Sequence, residues 1–199
     1  MPKAVKIYVR FVDAMNRRVG RFAMYLIFAM MGILLYSSIS KTFFNPSLWT
    51  LEMAQFTMVA YYLLGGGYSM QLGAHVRMDL AYGFWSDKTK AAVDAFTVFF
   101  LIYFLWVLLA GGVGSTAYAL GYYGAEPFAF FKDLAVAFFS GGIAGAEEVI
   151  GRLERSPTAW RPFVWPIKVT MCIGIFLMLL QTISMFFKDL AKIRGEDLS

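Results

Sequence analysis

The chain has 199 residues, of which 59% are hydrophobic and only 16% are charged. Soluble domains of this size have apolar residues at about half of their positions, so the composition excludes an ordinary soluble domain and indicates a membrane protein. The net charge of +5 does not indicate a nucleic-acid partner, because the basic residues flank apolar runs, where they orient membrane proteins and contact anionic lipid headgroups.

The first 21 residues are predicted to form an amphipathic helix on the cytoplasmic face of the membrane. Apolar residues recur at steps of three and four from Val5 to Val19, and six basic residues are interleaved with them. This spacing places apolar and charged side chains on opposite faces of a helix, as in segments that lie at a membrane surface. The segment is too long and too regular for the start of a signal peptide, so we expect it to be retained.

Four apolar runs are predicted to be membrane-spanning helices, which makes the fold all-α. A helix of about 20 apolar residues rises about 30 Å and matches the hydrocarbon core of a bilayer. The second span starts beside Trp49 and the fourth is entered through Trp160 and Trp165, as expected for rings at the membrane–water interface. The third run is long enough to imply tilt or a projecting end. The spans are residues 22–40, 49–72, 93–120 and 163–187.

The distribution of lysine and arginine places both termini in the cytoplasm. Six of these residues precede the first span, three lie in the turn at residues 73–92, and three follow the last span, in the tail at residues 188–199. The loop between the first two spans has only Lys41. Because positively charged short loops stay on the cytoplasmic side, we expect a multi-pass protein of the bacterial inner membrane with both termini and this turn inside.

The loop at residues 121–162 is predicted to be periplasmic and to contain a helical hairpin. Residues 127–139 are apolar but too short to cross a bilayer, and Gly141 and Gly142 separate them from an amphipathic segment at residues 143–155. In that segment Glu148 and Arg152 have the i,i+4 spacing that supports a helix. We interpret the hairpin as resting on the outer membrane face or on a partner, with a re-entrant segment as the less favoured alternative.

Two polar residues within the spans are candidate functional groups. Glu52 lies near the start of the second span, where a helix-start carboxylate or a partner contact is favoured over a proton or sodium site. Gln181 lies within the fourth span, where we expect it to hydrogen-bond a neighbouring helix, with a place on a substrate path as the alternative.

Glycines in the second and third spans predict close packing of helices. Cys172, in an apolar run, is interpreted as inert packing.

The turn after the second span brings His75, Arg77 and Asp79 together in sequence. A general base oriented by a carboxylate is the minimum that hydrolytic catalysis requires. No candidate nucleophile and no set of metal ligands accompanies these residues in the sequence. One histidine and one cysteine in the whole chain exclude an internal disulfide, a Cys/His zinc site and a haem held by two histidines of the chain. We therefore favour a turn that anchors at the headgroups or contacts a partner over a catalytic site.

Four short motifs, in this order, resemble the small membrane subunit (DctQ type) of the tripartite ATP-independent periplasmic (TRAP) transporters. Trp49 and Glu52 are similar to the W-x-x-E start of the second span in that family. Residues 73–79, GAHVRMD, resemble its G-x-H-V-R-x-D turn. Trp165 starts a sequence similar to the W-P-x-K motif, and Gln181 ends one similar to L-x-Q.

The resemblance implies a secondary importer of three parts. A periplasmic binding protein captures an organic acid or similar solute, a large sodium-coupled membrane subunit moves it, and this small subunit braces the scaffold of the large one. The matching residues would then be structural or subunit contacts, none of them catalytic, and no cofactor is implied. Glu126 is similar to the acidic residue that follows the third span in the family, although the loop after it is longer here. The residues alone leave a second function open, a stand-alone four-helix channel or exporter using Glu52 and Gln181.

Overall fold

The computed structural model describes residues 2–73 and 87–193 of the chain. This part is all-helical, and its only β-type pairing is an isolated bridge between Arg155 and Phe163. Most of the predicted turn at residues 73–92 lies outside the described residues. The helices are α1 (Lys3–Phe43), α2 (Thr50–Gln71), α3 (Asp87–Ala119), α4 (Pro127–Val149) and α5 (Trp165–Ile193).

Four of the described helices are long and apolar enough to cross a membrane, which confirms the prediction of an all-α, multi-pass membrane protein. The set differs from the predicted spans at two helices, since α4 qualifies by length and composition and α2 does not. α2 is long enough, with 22 residues and a rise of about 33 Å. Its mean hydropathy is lowered by Glu52 and by the glycines and tyrosines of the helix. It packs against both α1 and α5 and is therefore part of the bundle. The four qualifying stretches are Lys3–Phe43, Phe96–Ala119, Pro127–Val149 and Trp165–Ile193.

The central helix is α5, because it packs against α1, α2 and α3. At Gly174 its backbone lies so close to α2 that a Cβ atom there would be 2.8 Å from the carbonyl oxygen of Leu63. Small residues permit such close contacts between membrane helices. Gly66 and Gly67 of α2 and Gly112 of α3 also face neighbouring helices at short range, so the predicted use of the span glycines in close packing is confirmed for these three.

The bundle has two ends. α1 and α3 run in one direction, and α2 and α5 run in the other. We call one end the terminal end, because it holds the start of α1 and the last turns of α2 and α5. The opposite end, the loop end, holds the starts of α2 and α5, the last turn of α3, the helix α4 and the non-helical segment at residues 150–164.

α1 is one uninterrupted helix of 41 residues, about 61 Å long and therefore about twice the thickness of a hydrocarbon core. The sequence predicts that residues 1–21 form a separate helix on the membrane surface. Instead, the apolar face of this stretch packs inside the bundle, with Val9 and Val12 each only 1% exposed. The Tyr8 hydroxyl donates to the carbonyl oxygen of Leu180 on α5 at 3.1 Å. The periodicity marks a buried face correctly, but α5 and α2 cover that face and not lipid headgroups.

α4 is broken at Gly142, within the glycine pair where the sequence predicts the turn of a hairpin. The backbone there has φ 63° and ψ −144°, a conformation that glycine adopts readily and other residues rarely adopt. Beyond the break Gly145 returns to Ala137, so that a Cβ atom at Gly145 would be 2.5 Å from the Ala137 carbonyl oxygen. Residues eight positions apart in a straight helix are separated by about 12 Å. The chain of α4 therefore doubles back on itself.

Residues 150–164 run back over the end of α3. The backbone N–H groups of Gly151 and Glu154 donate to the carbonyl oxygens of Leu120 and Ala119, at 3.0 and 2.9 Å. The last carbonyl groups of a helix have no partner within the helix, so this segment caps α3. The sequence predicts helix as far as Arg155, but α4 ends at Val149, because the following backbone is used for the cap.

Candidate functional site

Polar side chains of α1 and α5 meet at the terminal end of the bundle. Asn16 and Gln181 are both fully buried. The Nδ2 atom of Asn16 donates to Oε1 of Gln181 at 2.9 Å, and Nε2 of Gln181 donates to Oδ1 of Asp13 at 3.0 Å. With Ser184 and Lys188, these residues form what we call the terminal cluster. It connects two helices whose paired residues are about 170 positions apart in the chain.

Asp13 is the charged centre of the terminal cluster. Its Oδ1 atom also accepts a hydrogen bond from the Ser184 hydroxyl at 3.3 Å. Its Oδ2 atom forms an ion pair with Nζ of Lys188 at 2.5 Å. Three donors, one of them a cation, therefore compensate the desolvation of a carboxylate that is only 16% exposed. Removing the carboxylate leaves all three donors without this acceptor.

α2 contributes a glycine to the terminal cluster. Oδ1 of Asn16 is buried and has no hydrogen-bond partner among the described residues. It lies against Gly67, where a Cβ atom would overlap it. A Cα–H group is the weak donor that a glycine offers at such a contact between helices. A side chain at position 67 would therefore displace the Asn16 amide, which is held by its hydrogen bonds to the Val12 carbonyl oxygen and to Gln181.

The prediction that Gln181 hydrogen-bonds a neighbouring helix is confirmed, but sequence reasoning missed its partners. Asp13 is the only acidic residue among the first 21 residues, and this is the signal that marks it. Asn16 lies four residues after Val12, on the apolar face of the same helix. A polar residue in that position indicates a buried hydrogen bond and not a surface-bound segment.

At the loop end, Glu52 connects α2 to the segment at residues 150–164. It lies in the first turn of α2 and is only 4% exposed. Its Oε1 atom accepts hydrogen bonds from the hydroxyls of Ser156, at 2.6 Å, and Thr158. Its Oε2 atom is buried and has no partner in the part of the chain that the structure describes. The start of a helix also stabilises a carboxylate through the helix dipole.

Lys168 makes a second connection at the loop end. Its Nζ atom forms an ion pair with Glu154 at 2.6 Å and donates to the carbonyl oxygen of Ser115 on α3 at 3.2 Å. This places the cation near the C-terminal end of α3, where the helix dipole is negative and favours a positive charge. The residue thus joins α5, α3 and the segment at residues 150–164.

A pocket with three arginines opens beside this segment, and we call it the arginine pocket. The guanidinium group of Arg155 lies over the ring of Phe163, 4.5 Å from its centre. Within the described ranges, 2–73 and 87–193, none of the three arginines forms an ion pair. The pocket is lined by Tyr118, Tyr123, Arg152, Leu153, Glu154, Arg155, Ser156, Pro157, Arg161 and Phe163.

The predicted site residues are distributed over both ends. Trp49 precedes α2 and stacks on Tyr36 of α1, with ring centres 5.6 Å apart. Trp165 starts α5, and Glu126 precedes α4 and is exposed. The remaining three, His75, Arg77 and Asp79, lie outside the described residues.

The structure does not bring Glu52 and Gln181 together. Gln181 lies at the level of Asn16 and Gly67. Gly67 is 15 residues after Glu52 on α2, which corresponds to about 22 Å along the helix axis. The two residues therefore belong to separate clusters at opposite ends of the bundle.

The comparison with protein families gives one match. The family described as "Tripartite ATP-independent periplasmic transporters, DctQ component" matches residues 30–131, just over half of the chain, from the middle of α1 to the first part of α4. Searches among curated proteins and among solved structures found no match. The chain belongs to the DctQ family and is a small-subunit component of a TRAP transporter.

Proposed function

We propose that this chain is the non-catalytic small permease subunit of a TRAP-type secondary importer, and that it braces the scaffold of the large sodium-coupled elevator subunit. A periplasmic binding protein would deliver the solute, a small organic molecule such as an organic acid. The observation that supports this function best is the use of the buried polar side chains. Glu52, Gln181 and their partners hold the chain's own helices together.

The alternative, a stand-alone channel or exporter using Glu52 and Gln181, has less support. A solute path needs polar groups that face one continuous cavity near the middle of the membrane. Here the two residues are about 22 Å apart along the bundle. The oxygen and the NH2 group of the Gln181 amide, and one oxygen of Glu52, already have partners within the chain.

The charges support a placement in the inner membrane with the terminal end in the cytoplasm. Arg10, Arg17, Arg18 and Arg21 lie on α1 near the terminal end, and Lys188 and Lys192 lie in the last turns of α5. Basic residues at span ends favour the cytoplasmic side. In this placement α1, α2, α3 and α5 cross the membrane, and the loop end faces the periplasm.

The arginine pocket would then be available to the binding protein. Arg152, Arg155 and Arg161 are exposed, and the one acidic residue of the pocket, Glu154, is paired with Lys168. An exposed positive pocket attracts acidic groups of a partner and increases the association rate. The other proposed subunit contacts are Trp49, Trp165 and Glu126 at the loop end and His75, Arg77 and Asp79 in the turn.

Purification and reconstitution test the proposal. The full chain should co-purify with a large, many-span membrane protein, and uptake into liposomes should need both proteins together with the binding protein. Replacing Arg77 or Asp79 should lower the yield of the complex more than it alters solute affinity. Transport by this chain alone in liposomes would show that the proposal is wrong and favour the channel.

A further inference from the structure

We propose that the hairpin of α4 is a lipid anchor whose tip, residues 134–146, is embedded in the membrane leaflet next to the loop end of the bundle. The hairpin begins and ends in contact with the bundle, and its tip carries exposed apolar side chains. Its composition, its backbone geometry and its position each support a lipid environment. This inference does not depend on which side of the membrane the loop end faces.

The composition of α4 is that of a membrane segment. Over its length, Pro127–Val149, it is one of the described helices that are apolar enough to cross a bilayer. All of its charged residues lie toward its two ends, so residues 134–146 contain none. The charged residues are Lys132, Asp133, Glu147 and Glu148.

The geometry of α4 does not allow it to cross. The chain reverses at Gly142, and Gly145 packs back against Ala137. The first arm, residues 127–141, rises about 22 Å, which is less than the 30 Å of a hydrocarbon core. A segment with the composition of a span and the shape of a hairpin fits partial insertion, with its charged residues in the headgroup layer.

The tip presents apolar groups and no unsatisfied polar side chain among the described residues. Phe138, Phe139 and Ile143 are 51%, 87% and 73% exposed. Ser140, the only hydroxyl of the tip, donates to the carbonyl oxygen of Ala137 at 3.3 Å. Protein interfaces usually combine an apolar centre with a polar rim and direct hydrogen bonds, whereas lipid chains require only that backbone and side-chain polar groups be satisfied internally.

The base of the hairpin fixes its position at the membrane boundary. Phe130 is 5% exposed and packs against Ala117 and Leu120 at the end of α3, and its ring stacks on Tyr122 with ring centres 4.7 Å apart. α3 is one of the helices able to cross the membrane, so the hairpin starts where α3 leaves it. The tip is therefore within reach of the lipid surface.

Depth-dependent fluorescence quenching tests the proposal on the full chain. The single native thiol is removed with Cys172→Ser, and one cysteine is then introduced with Phe139→Cys and labelled with an environment-sensitive fluorophore. Phe104→Cys on α3 serves as the lipid-exposed control, and Ala159→Cys in the exposed segment serves as the water-exposed control. In liposomes, aqueous iodide should quench the probe at position 139 at least about threefold less than the probe at position 159. Nitroxides on lipid acyl chains should quench it strongly.

A second reconstitution distinguishes lipid from a protein partner. With the large subunit present, lipid nitroxides should still quench the probe at position 139, and Ile143→Cys should behave in the same way. Equal iodide quenching at positions 139 and 159 would overturn the proposal, because the tip would then be in water. Loss of lipid quenching on addition of the large subunit would also overturn it, because the tip would then be a subunit contact.

Discussion

The two ends of the bundle hold their helices together in different ways. At the terminal end, two fully buried amides and a mostly buried ion pair join regular helices directly. At the loop end, a non-helical segment contacts the ends of α2, α3 and α5. It uses its backbone to cap α3 and its hydroxyls to bind Glu52.

This difference predicts two kinds of response to substitution. Where buried polar groups join two helices, removal of one member leaves donors or charges unpaired in the interior, and the whole bundle loses stability. Where a surface segment is held by several partly exposed bonds, loss of one bond opens the segment locally. Substitutions at the terminal end should therefore lower global stability, and those at the loop end should first loosen residues 150–164.

The largest effect is expected for Asp13→Ala. Gln181, Ser184 and Lys188 all lose an acceptor, and the lysine charge stays mostly buried without a partner. We expect the free energy of unfolding in detergent to fall by about 3 kcal/mol. The measurement is an equilibrium unfolding curve followed by helical circular dichroism.

The matched control for this substitution is Asp133→Ala. Asp133 is an exposed carboxylate on α4, so its removal should change stability by no more than about 0.5 kcal/mol. The double variant Asp13→Asn with Lys188→Met removes both charges and should recover part of the loss. If Asp13→Ala and Asp133→Ala had equal effects, the proposed difference between the two ends would not exist.

The next effect concerns glycine packing at the terminal end. Gly67→Ala should destabilise the bundle by about 2 kcal/mol, because the new methyl group overlaps Oδ1 of Asn16 and displaces the buried amide from its hydrogen bond to Gln181. Gly65→Ala, on the same helix, is the control, since no described atom lies within 4 Å of a Cβ there. It should be neutral or stabilise α2 by up to about 1 kcal/mol. Equal effects of the two substitutions on stability would contradict this prediction, because close packing against Asn16 would then not set the requirement for glycine at position 67.

The apolar runs allowed the sequence to predict three of the four helices that are long and apolar enough to cross a membrane, α1, α3 and α5, because lipid requires about 20 apolar residues whatever the partner helix is. The N-terminal stretch shows the limit of this reasoning. Its apolar period of three to four residues identifies which face of the helix is covered. The pattern is the same whether a lipid surface or another helix, such as α5, covers that face. Only the contacts of Val9, Val12 and Tyr8 in the structure decide between them.

The polar clusters were harder to predict, because their members are distant in sequence. The sequence marks Glu52 as a candidate, but its partners Ser156 and Thr158 are more than 100 residues away in the chain. The predicted helix up to Arg155 is wrong because a local i,i+4 pair, worth a few tenths of a kcal/mol, does not outweigh the capping of α3. The break at Gly142 was predictable, since glycine supplies the required positive φ.

At the loop end, Glu52→Ala should have a smaller and more local effect. Ser156 and Thr158 lose their shared acceptor, so local opening of residues 154–158 should become easier by about 1.5 kcal/mol. Hydrogen exchange would show faster amide exchange there, with protection in the core of α5 unchanged. Glu52→Gln keeps an acceptor oxygen and should be intermediate, and Glu126→Ala, which removes an exposed carboxylate, should have no effect. Uniform loss of protection across the bundle would contradict the local role.

The smallest effect is expected for Arg155→Ala in the arginine pocket. If an acidic group of the binding protein docks there, the affinity of the complex for that protein should fall by about threefold, and less at high salt, because exposed charge pairs are worth at most about 1 kcal/mol. Arg155→Lys keeps the charge but loses the planar stacking on Phe163, so it should recover only part of the affinity. The control is Arg10→Ala, an exposed arginine at the terminal end, which should leave binding unchanged. A loss of affinity with Arg10→Ala and none with Arg155→Ala would place the binding protein at the terminal end and reverse the proposed orientation in the membrane.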